Sequence, residues 1–193
     1  MPDEPIDRIL DAAYACFTRH GVRRTTMDDI AAAAGMSRPA VYQYVRNKDD
    51  AFRRLATRLF DEVLDKARAA AESDAPLAER LYNVVAAKLD LAVKLWRDTP
   101  HAAELLDAGA RLSGDLADTL STAIRELVAT TIAKAEGELD LAGTDPAEIA
   151  DVVLALTYGL ESDLTDPRRT RRRLRLGITL LLAGLSVTPS RGG

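Results

Sequence analysis

Apolar residues recur three and four positions apart along almost the whole chain, the spacing of one face of an α-helix, and no stretch alternates as a half-buried strand would. In the first segment Ile6, Ile9, Leu10, Ala13, Tyr14 and Phe17 form such a stripe, with Asp7 and Asp11 off it. Gly21 ends it, as a glycine past the last turn commonly does. A short second helix is predicted from about Met27 to Ala34, with Thr26 as N-cap and Asp29 as the reciprocal acid of a capping box. Gly35 stops it. Ser37 caps a third helix, with Pro39 in the first turn where its missing N–H costs nothing, and this helix ends near Val45. A long fourth helix opens on Asp49 and Asp50 and reaches about Ser73. A fifth covers about Leu77 to Arg97, a sixth opens at Thr99-Pro100, and a seventh covers Leu112 to Glu136. An eighth runs from Pro146 to about Leu164, and a ninth from Asp166-Pro167 to near Val187, before a loose tail from Pro189 to Gly193. No internal repeat is visible. The expectation is an all-α chain of about nine helices, with a three-helix N-terminal domain over 1–50 and a larger helical domain over 51–193.

Composition agrees and adds one asymmetry. Nearly half of the 193 residues are apolar, enough for a core, and the Ala, Leu and Arg content favours helices. The net charge of −4 taken alone argues against a nucleic-acid binder. Its distribution argues otherwise. Between Arg19 and Arg58 there are nine Arg or Lys against four Asp, a local +5, which leaves −9 on the rest. A basic end on an acidic body is what contact with phosphate at one end would produce, although solvated helix faces also show such imbalances. The single cysteine, Cys16, excludes an intramolecular disulfide and fits a reducing cytoplasm. It reads as inert packing beside Phe17. The acidic start lacks the basic and apolar parts of a signal peptide. The longest apolar stretch, Ile178 to Val187, is far shorter than the roughly 20 residues needed to span a bilayer.

The first three helices carry the most specific pattern. The tight turn Ala33-Ala34-Gly35-Met36 joins two short helices in the manner of a helix-turn-helix over about 26–46, whose second helix enters the major groove. Gly35 can take the left-handed conformation such a turn needs. Ile30, Ala31, Ala34 and Val41 are expected to close the small core between them. The outward positions of the third helix, Ser37, Arg38, Ala40, Tyr42, Gln43 and Tyr44, are candidates for reading DNA. Arg can bond a guanine edge with two N–H groups, and Gln can pair with adenine. Thr25 and Thr26, at the free N–H groups opening the second helix, are candidate phosphate holders, flanked by Arg23, Arg24 and Lys48. Asp28 and Asp29 look misplaced beside phosphate but suit the helix dipole.

The stretch Ile9-x-x-Ala12-Ala13-x-x-x-Phe17-x-x-x-Gly21-Val22-x-x-Thr25-Thr26-Met27-x-x-Ile30-Ala31-x-x-Ala34-Gly35-Met36-Ser37-x-x-x-Val41-Tyr42-x-Tyr44-Val45-x-x-Lys48 resembles the signature of the tetracycline-repressor (TetR) family. The resemblance covers about the first quarter of the chain. It implies a homodimer whose third helices enter successive major grooves of a near-palindromic operator in double-stranded DNA. It also implies that the last two helices, about 146–187, pair into a four-helix dimer interface, and that a ligand pocket lies among the middle helices. By position in the motif, Thr26, Arg38, Pro39, Ala40, Tyr42, Tyr44 and Lys48 match places where family members touch DNA. Two departures are mild: Val45 stands where Phe is common, and Asp49-Asp50-Ala51-Phe52 replaces the usual acidic-x-Leu opening of the fourth helix. The implied function is a cytoplasmic, ligand-responsive transcriptional regulator. Its form would be a repressor released from its operator by a small apolar or amphipathic molecule, making 51–193 the ligand-binding and dimerisation domain.

Other chemistry is thin. Tyr82, Trp96, His101 and Tyr158 are amphipathic residues of the middle helices, suited to a ligand with one or two hydrogen-bonding groups and equally to core filling. His20 and His101, the only histidines, have no partner at metal-ligand spacing, so no metal is expected. No catalytic, phosphate-loop or dinucleotide signature is present, so neither catalytic residues nor a cofactor are expected and the chain does not read as an enzyme. The densest basic run, Arg168 to Arg175, reads as a solvated or ion-paired face, with Asp163 and Asp166 just upstream to offset it. A second class, an all-helical enzyme or small-molecule binder whose N-terminal unit only packs, differs by lacking salt-dependent DNA binding. A third, a membrane-associated helical protein, rests on Ile178 to Val187, which the preceding arginines instead mark as a dimer helix.

Overall fold

The computed structural model describes residues 4–135, 139, 141, 143–161 and 164–185, and among them there are eight helices and no strand. They are α1 (Pro5–His20), α2 (Met27–Ala33), α3 (Arg38–Val41), α4 (Lys48–Ala71), α5 (Leu77–Asp98), α6 (Ala102–Ala133), α7 (Pro146–Glu161) and α8 (Pro167–Leu185). The count differs from nine because the expected sixth and seventh helices are joined. One residue, Ser113, leaves helical geometry (φ −145°, ψ 21°), and the helix resumes beyond it as a kink. A Ser-Gly pair is a usual place for such a bend. The expected end of the seventh helix at Glu136, Asp163, the last residues of the ninth helix to Val187 and the tail from Pro189 lie outside the described residues.

The chain forms two compact units, Met1–Asp61 with Lys94–Thr119, and Glu62–Val93 with Leu120–Gly193. In the first, α1 turns Ile9, Leu10, Ala13, Cys16 and Phe17 inward to meet Ile30, Val41, Val45, Phe52 and Leu55. The Phe17 and Phe52 rings meet at 5.6 Å between centroids and 55° between planes, a tilted pair. Burial, and secondarily the charge of Asp29, pushes the Cys16 thiol up, which keeps it protonated and inert. The end of α5 is tied to α1: the Tyr14 hydroxyl donates to Asp98 at 2.8 Å and accepts from Lys94 Nζ at 3.0 Å. Thr99 Oγ1 donates to the Thr18 carbonyl at 2.6 Å. In the second unit the core joins Leu81, Val84, Val85 and Leu89 of α5 to Ile124, Val128 and Ile132 of α6, Val153 of α7, and Leu174 and Ile178 of α8. Arg125 forms a two-pronged pair with Asp151, tying α6 to α7.

Candidate nucleic-acid interface

Local hydrogen bonds fix the first three helices before any packing does. Gly21 (φ 80°) ends α1, its N–H donating to the Phe17 carbonyl at 3.0 Å. α2 begins with the expected reciprocal cap. The Asp29 N–H donates to Thr26 Oγ1 at 3.2 Å, and the Thr26 N–H donates to Asp29 Oδ2 at 2.8 Å. These bonds, led by the one from the Thr26 hydroxyl, hold the Asp29 carboxyl below the usual carboxylate range. α2 closes with Met36 N–H on the Ala31 carbonyl (3.0 Å) and Gly35 N–H on that of Ala32 (3.1 Å), a closure that needs a left-handed residue. Gly35 supplies it with φ 63°. Arg8 of α1 donates to the Ala34 carbonyl at 3.1 Å and holds this turn against the first helix.

Ser37 caps α3, accepting from the Ala40 N–H at 3.3 Å, with Pro39 in the first turn. The regular helix stops at Val41, earlier than expected. Tighter turns continue to Val45, whose N–H still reaches the Val41 carbonyl at 3.1 Å. Val41 and Val45 are buried at 0% and 1%, which orients the rest of the segment outward. Ser37, Arg38, Pro39, Tyr42, Gln43 and Tyr44 are exposed, and Ala40 is half-buried. Arg24 and Thr26 are exposed too.

Two residues sit differently from the sequence expectation. Thr25 is only 1% exposed, and its hydroxyl and N–H both donate to the Gly21 carbonyl, at 2.8 and 3.2 Å. These bonds shape the loop and turn its hydroxyl inward rather than toward the exposed face of α3. Lys48 is half-buried and donates from Nζ to the Arg23 carbonyl at 3.1 Å, clasping the start of α4 to the α1–α2 loop. The sequence also gave no sign of Asp28's second role. Its carboxylate accepts from Arg38 Nη1 at 3.1 Å while Arg38 stacks on the Tyr42 ring, 5.6 Å to the centroid, with Nη2 3.4 Å from the Tyr42 hydroxyl. The Tyr42 hydroxyl first, and then Asp28, raise the Arg38 pKa, so its charge is constant at any working pH. Arg46, just past α3, has an 85% exposed side chain and lies 3.5 Å from Asp50. It was not singled out from sequence, although an exposed cation flanking a recognition helix was visible there.

The four candidate ligand residues are divided between the two units. Trp96 and His101 belong to the first unit, and Tyr82 and Tyr158 to the second. Trp96 is 46% exposed. Tyr82 is buried beneath the Arg175 guanidinium, 4.1 Å from the ring centroid. Tyr158 is exposed but lines a small cavity with Val85, Lys88, Ser121, Ile124, Leu154 and Thr157. That cavity is about 10 Å³, the room of a single water. Lys88 lies over the Tyr158 ring at 4.4 Å and pairs with Glu161 at 2.7 Å. The arginine run of α8 is partly committed within the second unit: Arg171 pairs with Asp90 at 2.6 Å, and Asp166 caps the helix by accepting from the Arg169 N–H at 3.0 Å. No group of three metal-ligating side chains occurs among the described residues, and no helix among them is long and apolar enough to cross a membrane.

Residues 9–55 match the model of the bacterial regulatory proteins of the tetR family. Over 102 residues the chain is 32% identical to an uncharacterized HTH-type transcriptional regulator, YhgD, of Bacillus subtilis, covering 48% of this chain and 53% of that one. Over 124 residues it is 30% identical to the HTH-type transcriptional repressor ComR of Escherichia coli, covering 60% and 56%. The chain thus spans about half the length of these curated relatives. Among solved structures, SmeT, the repressor of a Stenotrophomonas maltophilia multidrug efflux pump, superposes with a TM-score of 0.69 at 23% identity over 95% of this chain and 91% of that one. SmeT has also been solved as a triclosan complex, at 21% identity over 96% and 93% with a TM-score of 0.69. The match over residues 9–55 falls on α1, α2, α3 and the first turns of α4, so over this N-terminal segment the chain is similar to the bacterial regulatory proteins of the tetR family.

Proposed function

We propose that this protein is a ligand-responsive, DNA-binding transcriptional regulator of the repressor type. The observation that carries this is the exposed surface of α3, where Arg38, Tyr42, Gln43 and Tyr44 project from a backbone pinned by Val41 and Val45. A rigid helix presenting a fork donor, an amide and two hydroxyls suits the edges of bases in a major groove. Arg24, Thr26 and Lys48 suit the flanking phosphates, and Ser37, Pro39 and Ala40 the close approach of backbone to backbone. Arg38 must leave Asp28 to reach a base. That exchange penalises DNA offering no better partner and so favours specific over indiscriminate binding.

The partner is a near-palindromic double-stranded operator with half-sites about one helical turn apart, read by a homodimer. α7 and α8 support the dimer: Val152 and Leu180 are 50% and 63% exposed, on a groove of about 450 Å³ lined also by Ile149, Leu181 and Leu185. Exposed apolar side chains in two adjacent helices are what a four-helix interface buries. On this reading residues 1–50 form the DNA-binding domain and 51–193 the domain for ligand and dimer.

The effector would be a small apolar or amphipathic molecule entering among the helices of the second unit. Triclosan bound to SmeT is an amphipathic molecule of this kind. A cavity of about 10 Å³ must widen to admit such a molecule, since ligand sites usually hold about 300 Å³ or more. The effector then shifts the DNA-binding equilibrium only by its difference in affinity between the two states.

The decisive test is binding to the chain's own upstream DNA at two salt concentrations, with Arg38→Ala and Tyr42→Ala alongside. Both variants should keep the wild-type circular dichroism and lose operator affinity, each by about 1–3 kcal/mol where a base contact is lost. Unchanged affinity in both, or no salt-dependent binding by the wild type, overturns the assignment.

A further inference from the structure

The chain has two histidines, His20 and His101, far apart in sequence. The fold of the first unit brings both to one cleft of about 240 Å³, lined by Arg19, His20, Arg24, Asp29 and His101. The end of α1, the loop after it, the first turn of α2 and the residue before α6 thus converge. Arg38, Arg46, Arg53, Arg54 and Arg58 are each paired with an aspartate. Among the described residues the side chains of Arg19, Arg24 and His101 form no such pair, and His20 lies close enough to feel the charge of Asp29.

The acids nearby are already engaged. The Asp29 carboxylate accepts from the Thr26 N–H and hydroxyl at 2.8 and 2.7 Å. On α6, Glu104 accepts from the Arg23 N–H at 2.6 Å, and Asp107 lies 3.8 Å from the Arg23 guanidinium. The His101 N–H donates to Thr99 Oγ1 at 2.8 Å, which fixes its backbone and leaves the ring to face the cleft.

We propose that this cleft binds a phosphate group. Two guanidiniums offer planar forks that match the oxygens of a tetrahedral oxyanion, and each imidazole adds an N–H from another direction. One carboxylate, occupied by its own helix cap, does not cancel four basic groups. The group comes either from a free phosphorylated small molecule or from the backbone of a bound duplex. The chemistry is the same for both, and only the second source rests on the DNA-binding reading.

The experiment titrates the full chain with sodium sulfate, following the two imidazole signals by NMR at an ionic strength matched with chloride. Sulfate stands in for phosphate because it is a tetrahedral dianion with the same oxygen geometry. Saturable shifts of both rings are expected, with binding about tenfold weaker in Arg24→Gln, whose histidine signals remain as reporters. The double variant His20→Gln/His101→Gln, followed by calorimetry, should also bind about tenfold more weakly. No saturable shift, shifts reproduced by chloride, or an Arg24→Gln variant that binds like the wild type overturns the proposal. A random-sequence duplex then assigns the source. Displacement of sulfate by the duplex places a backbone phosphate in the cleft, whereas sulfate binding to the DNA-bound protein assigns a free phosphate compound. A chain that fails to bind any duplex but still binds sulfate refutes the regulator reading and leaves the cleft standing.

Discussion

Arg38 is held by the Asp28 carboxylate, which a base edge would have to displace to engage its guanidinium. Asp28 is 65% exposed and Arg38 55% exposed, so their pair contributes little to stability but sets the charge met by an approaching duplex. Asp28→Asn removes one negative charge and releases the guanidinium. Affinity for random duplex should rise about three- to tenfold, with a smaller gain for the operator, since a single charge near phosphate is worth a counterion's release. Fluorescence anisotropy on both duplexes across a salt series reads this, and equal or weaker random binding would show that Asp28 does not compete. Thr25 gives the complementary case. Its hydroxyl bond to the Gly21 carbonyl is buried, so Thr25→Val should cost about 1 kcal/mol in urea unfolding and leave the DNA affinity of the folded protein unchanged. A loss of affinity with intact stability would return Thr25 to the phosphate-binding set. The two adjacent threonines also mark what sequence could and could not convey. The cap role of Thr26 was legible from its spacing to Asp29, a local rule. The burial of Thr25 was not, because a loop residue has no periodicity to show which way it points. Asp28's contact with Arg38 joins two helices across a turn, and no spacing rule predicts it.

At the scale of the element, most helices follow from caps and stripes, and α6 is where local reading ran short. Leu112-Ser113-Gly114 looks like a boundary, and the backbone does leave helical geometry at Ser113. The helix nevertheless resumes, because the freed Leu112 carbonyl finds another donor: Arg53 Nη1 of α4 reaches it at 2.9 Å. The same guanidinium grips both oxygens of Asp115, with Nη1 2.7 Å from Oδ1. A long-range arginine therefore stabilises a bend that sequence alone reads as an end. The Arg53 pair lowers the Asp115 carboxyl to about 2, against an ordinary value near ~3.9. A carboxyl whose pKa is depressed on folding contributes stability that is complete above the unfolded value and disappears as pH falls through the folded one. The contribution of Asp115 is thus present above about pH 4 and lost between about pH 4 and pH 2. Asp115→Asn should lower the melting temperature at neutral pH and flatten the acid limb of the stability curve in that window. Thermal melts by circular dichroism from pH 7 to pH 2 test it, and identical acid limbs in variant and wild type would count against the latch. Asp29, Asp50 and Asp151 are shifted in the same direction and are common to both proteins, so the difference between the two curves isolates Asp115.

For the whole molecule, the question is why a folded chain leaves apolar side chains on its surface. Single exposed leucines are ordinary, but Val152, Leu176 and Leu180 are each at least 50% exposed and all stand on the last two helices. The sequence made those helices apolar without revealing which faces their own core would use. Ile149, Ala150, Val153, Leu174 and Ile178 are buried, whereas Val152, Leu176 and Leu180 remain uncovered. A second copy presenting the same two helices would cover them through a two-fold, self-complementary contact. Charge supports that occupant over an acidic or basic partner, since the groove carries one acidic side chain, Glu148, among aliphatic ones. Leu180→Asp places a charge in the middle of this face at a position 63% exposed in the single chain, so the fold of each subunit should survive while association fails. Sedimentation should report a monomer with wild-type helix content. Operator affinity should then fall by about a hundredfold or more, because two linked half-site contacts become two independent ones. Affinity for a single half-site should stay within about twofold, since α3 is untouched. A Leu180→Asp protein that still sediments as a dimer would place the subunit contact elsewhere, whereas a monomer with undiminished operator affinity would mean that one α3 per duplex suffices.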